Sequence, residues 1–302
     1  MIRPDEAASG NARRLDVAGA LTVTAACLLF VWAIVEAPEA GWTSMRTLAA
    51  LVAALVLVAL FAAVERTVAQ PLVRLGIFHS ALLVRANAGA LLLFGCTTAL
   101  NFVTTLYLQD VLGWGPLQTG FAFMASSLVT AVVGPRAGSL ATRVGPTPIL
   151  LAGAVALAGS SLVFLDVGVS SNTTVIVVSR LLNGLGFALA YPMLNIQALT
   201  GVRDDEQGLA SGLVGSSFQL GGAIVLAATT ATILGHTPAR PTAAETVHGF
   251  TTGVYVTVAA AGLLVLLALA GLLGARRRAA ADLRVATTDI PAPDFERLEH
   301  AA

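Results

Sequence analysis

Arg180, Gly184, Phe187 and Tyr191 recur at steps of four, three and four inside an apolar run, with Asn183 and Asn195 beside them. At helical spacing, one broad face thus carries a cation, amides and two aromatic rings. Polar groups that orient a ligand next to rings that supply apolar contact are the usual division of labour in a small-molecule pocket. A guanidinium in hydrocarbon is costly, which leaves Arg180 two courses: turning inward to a cavity, or snorkelling to a surface about 8 Å away at 1.5 Å per residue. Asp166, across a short turn, is its expected partner. A second stripe, Thr97, Asn101, Thr104 and Leu108, follows steps of four, three and four. Each threonine has the alternative of bonding its own helix's carbonyls, whereas the Asn101 amide has more groups to satisfy. A third stripe, Gly208, Gly212, Gly215 and Gly222 with Gln219, is small enough to let another helix approach closely.

Catalytic patterns are missing from the sequence. It has no G-x-S-x-G elbow, no H-E-x-x-H, no phosphate loop and no Cys or His cluster at ligand spacing, so no catalytic residue, metal or cofactor is expected. Cys27 and Cys96 sit singly in apolar runs and read as packing residues, and His79, His236, His248 and His300 as solvated side chains in loops or the tail.

The elements that must hold these stripes are membrane spans. Eight stretches are each about long enough to cross roughly 30 Å of hydrocarbon: Val17 to Val35, Leu48 to Val64, Ala86 to Leu108, Leu117 to Val133, Ile149 to Leu165, Val175 to Leu199, Gly208 to Leu234 and Val254 to Leu273. Composition agrees, with 56% hydrophobic and 11% charged residues, where a soluble domain carries about 25% charged. The fold class expected is an all-α polytopic membrane protein of eight helices, its principal partner the lipid bilayer. The first span exceeds the apolar core of a cleaved signal peptide and is expected to stay in the mature chain.

All 17 basic residues are arginines. Fourteen fall in segments that alternate to one side: Arg3, Arg13, Arg14, Arg66, Arg74, Arg85, Arg136, Arg143, Arg203, Arg276, Arg277, Arg278, Arg284 and Arg297. Arg46 and Arg240 fall opposite, and Arg180 lies within a span. The positive-inside rule then predicts a cell-membrane protein with both termini cytoplasmic. Arginines spread over loops make no nucleic-acid footprint. Trp42, Tyr107 and Trp114 are expected at headgroup level on the outer side. The chain divides into an N-terminal segment (1–16), a two-helix pair (17–64), a linker (65–85), a six-helix unit (86–274) and a tail (275–302). Within the linker, Leu75, Phe78 and Leu82 after Pro71 have the spacing of an interfacial helix, with a solvated loop as the alternative. The polar tail from Ala279 reads as disordered.

Three stretches go beyond generic membrane character. Gly138-Ser139-Leu140-Ala141-Thr142-Arg143-Val144-Gly145, between spans 4 and 5, resembles the cytoplasmic loop motif G-x-L-A-D-R-x-G of the major facilitator superfamily, with Thr142 in place of the acid. The run from Asp205 through Gly212 to Ala223 resembles the penultimate helix of its fourteen-helix drug-proton antiporters, and so does Leu106 to Gly120 for an earlier span. Arg180-x-x-Asn183-Gly184-x-Gly186 is similar to the superfamily's R-x-x-Q-G-x-G pattern.

The resemblance implies a multidrug or metabolite exporter coupled to protons, of which this chain matches the C-terminal part. Spans 1 and 2 would be the extra central pair and spans 3 to 8 the C-terminal six-helix half, without the N-terminal six. The first and fourth helices of such a half line the cavity, here spans 3 and 6, so Thr97, Asn101, Thr104, Arg180, Asn183, Phe187 and Tyr191 are the expected lining for a small amphipathic substrate. The second and fifth helices meet the opposite half, here spans 4 and 7, so Gly208, Gly212, Gly215, Gln219 and Gly222 are the expected packing face. Its partner would be a separate N-terminal half or a second copy of the chain. Gly138, Arg143 and Gly145 would serve the loop motif. The alternative is a truncated membrane protein without transport activity.

Overall fold

The computed structural model describes residues 17–67, 76–77, 80–170 and 173–288. It consists of eight long helices: α1 (Val17–Ala40), α2 (Met45–Thr67), α3 (Ala81–Leu106), α4 (Pro116–Val144), α5 (Pro146–Phe164), α6 (Thr173–Leu199), α7 (Gln207–His236) and α8 (Ala243–Thr288). A π-helical turn, Tyr107–Val111, continues α3, and a 3-10 turn, Asp204–Glu206, precedes α7. Every one of the eight is long and apolar enough to cross a membrane. In hydrocarbon a helix keeps its backbone hydrogen bonds to itself, which is why a chain of this composition is helical almost throughout.

Helices α3 to α8 form two layers. The front layer runs α4, α6, α3, α7, each packed on the next, while α5 and α8 lie behind, α5 against α6 and α8, and α8 also against α3 and α7. Helices α1 and α2 pack on each other and reach the six-helix body through α1 against α7. On α1, Ala26, Ala33 and Ala37 are buried at steps of seven and four, a narrow face of small residues.

Lipid tails are as apolar as leucine, so these layers are held by close approach and by hydrogen bonds between helices. Helices α5 and α6 meet through Gly153 and Gly186. A Cβ on Gly153 would stand 2.8 Å from the Ala190 nitrogen, and one on Gly186 2.9 Å from the Gly153 oxygen. One level farther along, Ser160 Oγ donates to the Ser179 carbonyl at 2.8 Å and Ser179 Oγ to the Ser160 carbonyl at 3.0 Å. Gly184 brings α6 onto the backbone of α4 at Ser126, and Gly221 brings α7 onto that of α3 at Leu91. Gly184→Val therefore forces α4 away and should cost on the order of 3 kcal/mol, within the range for overpacking. Gly215→Ala, with nothing within 4 Å of the added Cβ, should keep stability or raise it by up to about 1 kcal/mol through helix propensity. Thermal unfolding of the two purified variants separates these outcomes.

Several element ends differ from the sequence expectation. The Gly138 to Gly145 stretch is helix rather than loop: α4 runs to Val144, and Gly145 alone, at φ 85°, turns the chain into α5 with Pro146 at its first position. Ser139 and Thr142 turn their hydroxyls onto their own helix's carbonyls there, at Arg136 and Ser139. Helix α3 begins at Ala81, capped by Ser80, so Arg85 is helical, and α2 extends through Thr67. Helix α8 begins at Ala243, where the Thr242 hydroxyl accepts from the Glu245 amide and the Glu245 carboxylate accepts from the Thr242 amide and hydroxyl. This reciprocal cap, T-x-x-E, was present in the sequence. It places His248 within α8, exposed, while His236 ends α7, also exposed.

At its other end α8 is helical to Thr288, against the expectation of disorder from Ala279, because alanine, arginine and leucine favour helix there. Tyr107, expected at headgroup level, packs within the protein. It is fully buried, edge-on to Phe164, and donates to the Gly168 carbonyl at 2.7 Å. Arg46, one of the two arginines that fall opposite the rest, pairs with Glu36 at 3.2 Å and lies over the Trp32 ring. The Pro71 to Phe78 interfacial helix, His79, His300 and residues 289–302 lie outside the described residues, apart from a short turn at Gly76 and Ile77.

The topology prediction is tested by cysteine labelling in a Cys27→Ala, Cys96→Ala background. Cysteines at Thr43 and Thr173 are expected to react with an impermeant thiol reagent in intact cells, and one at Asp204 to be protected. The reverse pattern inverts the topology.

Candidate functional site

Helix α6 carries its cation and rings over most of its length. Arg180 stands about 10 Å along the helix from Thr173, and Tyr191 about 17 Å farther, at 1.5 Å per residue. Arg180 is fully buried, so of its two courses it takes the inward one. Its Nη1 donates to Asn101 Oδ1 on α3, and its guanidinium lies 5.0 Å from the centroid of Phe123 on α4. Asp166 is exposed and makes no ion pair with it. The expected pair fails because Asp166 sits in the turn beyond Phe164, whereas Arg180 points between α3 and α4.

The polar cluster around Arg180 is not saturated. Arg180 Nε and Nη2, Asn183 Nδ2 and Thr97 Oγ1 are all buried without a hydrogen-bond partner. Buried donors of this kind cost about 1–3 kcal/mol each, and more on a charged group, so the site is built at a cost that packing alone does not explain. Three donor nitrogens on α6 and a hydroxyl on α3 are available to acceptor atoms.

Below the cluster the face turns aromatic. Phe187 and Tyr191 stack at 5.1 Å with planes 20° apart, and Tyr191 stacks on Phe218 of α7 at 4.9 Å and 28°. Phe94 of α3 closes the group, tilted against Phe187 at 6.4 Å and Phe218 at 5.8 Å. Tyr191 is 39% exposed, so the aromatic end is open while the arginine end is closed under Phe123. Offset and tilted rings at these separations are favourable pairs, and the exposed part of Tyr191 leaves the edge of this group accessible.

Of the sequence candidates, the structure brings Asn101 onto Arg180 and places Thr97, Asn183, Phe187 and Tyr191 nearby on the same two helices. Thr104 does not belong with them. It is fully buried, and its hydroxyl donates to the Leu100 carbonyl at 2.7 Å, the backbone alternative open to threonine. Phe94 and Phe218 were missed, although Phe94 precedes Thr97 and Asn101 at steps of three and four, and Phe218 precedes Gly222 by four. On α7, Gly208, Gly212 and Gly215 have open space around them and Gln219 is exposed, whereas Gly222 packs against Phe94 and Thr98 of α3. Helix α7 also packs against α1. Gly138, Arg143 and Gly145 lie at the far end of α4, away from this site.

Comparison with known proteins identifies the fold that carries these layers. The profile of the Major Facilitator Superfamily matches residues 17–226. The chain belongs to this superfamily. It is 31% identical over 220 residues to the multidrug resistance protein Stp of Mycobacterium tuberculosis, covering 73% of this chain and 41% of Stp. It is 31% identical over 301 residues to the puromycin resistance protein pur8 of Streptomyces alboniger, covering 93% and 58%. With the lincomycin resistance protein of Streptomyces lincolnensis it shares 32% over 226 residues, covering 74% and 46%. The chain thus spans about half the length of these curated relatives. Among solved structures, the nucleoside transporter NupG superposes with a TM-score of 0.50 at 15% identity, covering 82% of this chain and 65% of NupG, a likeness of fold. As a superfamily member with eight apolar helices of spanning length among the described residues, this is a multi-pass membrane protein.

Proposed function

We propose that the chain is the cavity-bearing and docking half of an exporter of amphipathic small molecules, coupled to protons when the transporter is whole. The Arg-rich side is cytoplasmic in this reading. The observation that carries it is the joint face of α3, α6 and α7, where unpartnered donors on Arg180 and Asn183 adjoin a half-open stack of Phe187, Tyr191 and Phe218. Donors take acceptor atoms of a ligand and the rings take its flat apolar part. The names of Stp, pur8 and the lincomycin resistance protein support drugs of this type as the substrate class.

A second six-helix body completes the cavity in this proposal, supplied by a separate N-terminal half or by a second copy. Support comes from the edges of the front layer. Leu117, Phe121, Met124, Leu128 and Val132 form an exposed stripe on α4, and Gly208, Gly212 and Gly215 stand open among exposed Ser211, Ser216 and Gln219 on α7. Leucines suit lipid equally well, but glycines beside hydroxyls and an amide suit a helix.

Photolabelling tests the site without requiring transport. A photoreactive puromycin analogue, applied to the purified chain in nanodiscs, is expected to label between Phe187 and Phe218. Tyr191→Ala should weaken labelling about tenfold, the ratio that about 1.4 kcal/mol of lost stacking gives. Label spread evenly over Phe121 and Leu128 on α4, and unchanged by Tyr191→Ala, would remove the cavity.

A further inference from the structure

A second cleft lies away from this cavity, between the Arg-rich ends of α3, α5, α6 and α8. It holds about 260 Å³ and is lined by Arg85, Thr147, Gln197, Thr200, Gly271 and Gly274, with Leu82 at its wall. Its inner end narrows between Leu150, Leu267 and Ala268, still bordered by Arg85 and Gln197. Gln197 is 5% exposed, yet its Nε2 has no hydrogen-bond partner. Arg85 gives its Nε to the Ala81 carbonyl at 3.2 Å and pairs with no carboxylate among the described residues, leaving its other nitrogens free to bind. Gly271 makes room for it: a Cβ there would stand 3.3 Å from Arg85 Nη1.

We propose that this cleft binds a phosphate-bearing anion, the headgroup of an acidic phospholipid. A cation and an unsatisfied amide donor converge on a space with leucine walls, which is the chemistry of a phosphate attached to an acyl chain. Basic pockets between helices at the cytoplasmic side bind such headgroups. Charge around the mouth agrees, since Arg276 and Arg277 follow exposed on the next turn of α8. The nearest acidic run, Asp204 to Glu206, lies in the α6 to α7 turn, where Asp205 is neutralised by Arg203 at 2.9 Å. Gln197 explains why the site is more than a polybasic surface: its buried donor is satisfied only by something inside the cleft. The inference rests on the membrane assignment and does not depend on the drug cavity proposed on α3, α6 and α7.

Native mass spectrometry of the purified full chain tests it. With phosphatidylglycerol and phosphatidylcholine supplied equally, retention of phosphatidylglycerol is expected to exceed that of phosphatidylcholine about fivefold, the ratio that about 1 kcal/mol for one arginine near acidic lipid gives. Arg85→Gln and Gln197→Leu should each bring the two lipids to parity, while Arg136→Gln, on α4 outside the cleft, should keep the preference. Gln197→Leu fills the same space with an apolar side chain, so a folded variant is expected, and monodisperse elution checks it. Equal retention in the unaltered chain, or equal loss in Arg136→Gln, overturns the site. In a parallel arm inorganic phosphate and glycerol phosphate are added without lipid. Thermal stabilisation by these alone, abolished by Arg85→Gln, would keep the phosphate chemistry and overturn the lipid as its source.

Discussion

Asn101→Leu is expected to destabilise the folded chain by about 2 kcal/mol, the range for losing a hydrogen bond to a charged group. The reason lies in what remains. Arg180 already has two nitrogens without partners, and the Asn101 carbonyl oxygen holds a third. Removing that oxygen leaves a guanidinium inside the membrane with only the Phe123 ring for company. Arg180→Met in the same chain removes the cation itself, and a buried polar pair replaced by apolar groups of similar volume is often neutral or stabilising. The double variant should therefore recover most of the loss, with a coupling energy of at least about 1 kcal/mol in a double-mutant cycle followed by thermal unfolding in nanodiscs. Strict additivity would show that the two residues do not act as a unit. Ligand photolabelling should fall in both the single and the double variants, because stability and binding make opposite demands on this site. A side chain kept charged at a cost to the fold is one that the fold alone does not explain.

The sequence made the eight spans legible because apolar length is decisive in a bilayer. Their ends were less so, since hydropathy marks where lipid stops and not where the helix stops. Helix α4 runs eleven residues beyond the apolar limit at Val133, and α8 begins eleven before Val254, where the Thr242 and Glu245 cap was readable from spacing alone. The course of Arg180 was undecidable from α6 by itself. Snorkelling and turning inward have similar local costs, and the choice falls to Asn101 and Phe123, which are 79 and 57 residues away in the chain. For the same reason Thr97 and Thr104 look alike in sequence, yet one has an unpartnered hydroxyl and the other bonds Leu100. Phe94 and Phe218 escaped notice because a lone phenylalanine in a span is equally at home in lipid or core. Only the packing of α3 against α7 puts both beside Tyr191.

The chain by itself, purified into liposomes under an imposed pH gradient, is expected to show no drug-dependent proton flux. Alternating access in such folds is a rocking of one six-helix body against another around a midplane site, and in the proposed reading this chain supplies one of the two. The charges point the same way. Among the described residues of α3 to α8, no carboxylate sits in the middle of a span. Asp110 and Asp166 are exposed at helix ends, and Glu245 caps the start of α8. On the central pair, Glu36 is held by Arg46 and Glu65 lies near the end of α2. A second copy docked on the open glycines of α7 would supply another body but no proton carrier. Flux is therefore expected only when an N-terminal six-helix half bearing acidic residues is reconstituted with this chain, and it should then be abolished by Gly212→Leu, which blocks docking without disturbing the isolated fold. Fluorescence of a pH-sensitive dye inside the liposomes reads both cases. Robust flux from this chain alone would make it an autonomous transporter and overturn the two-body proposal.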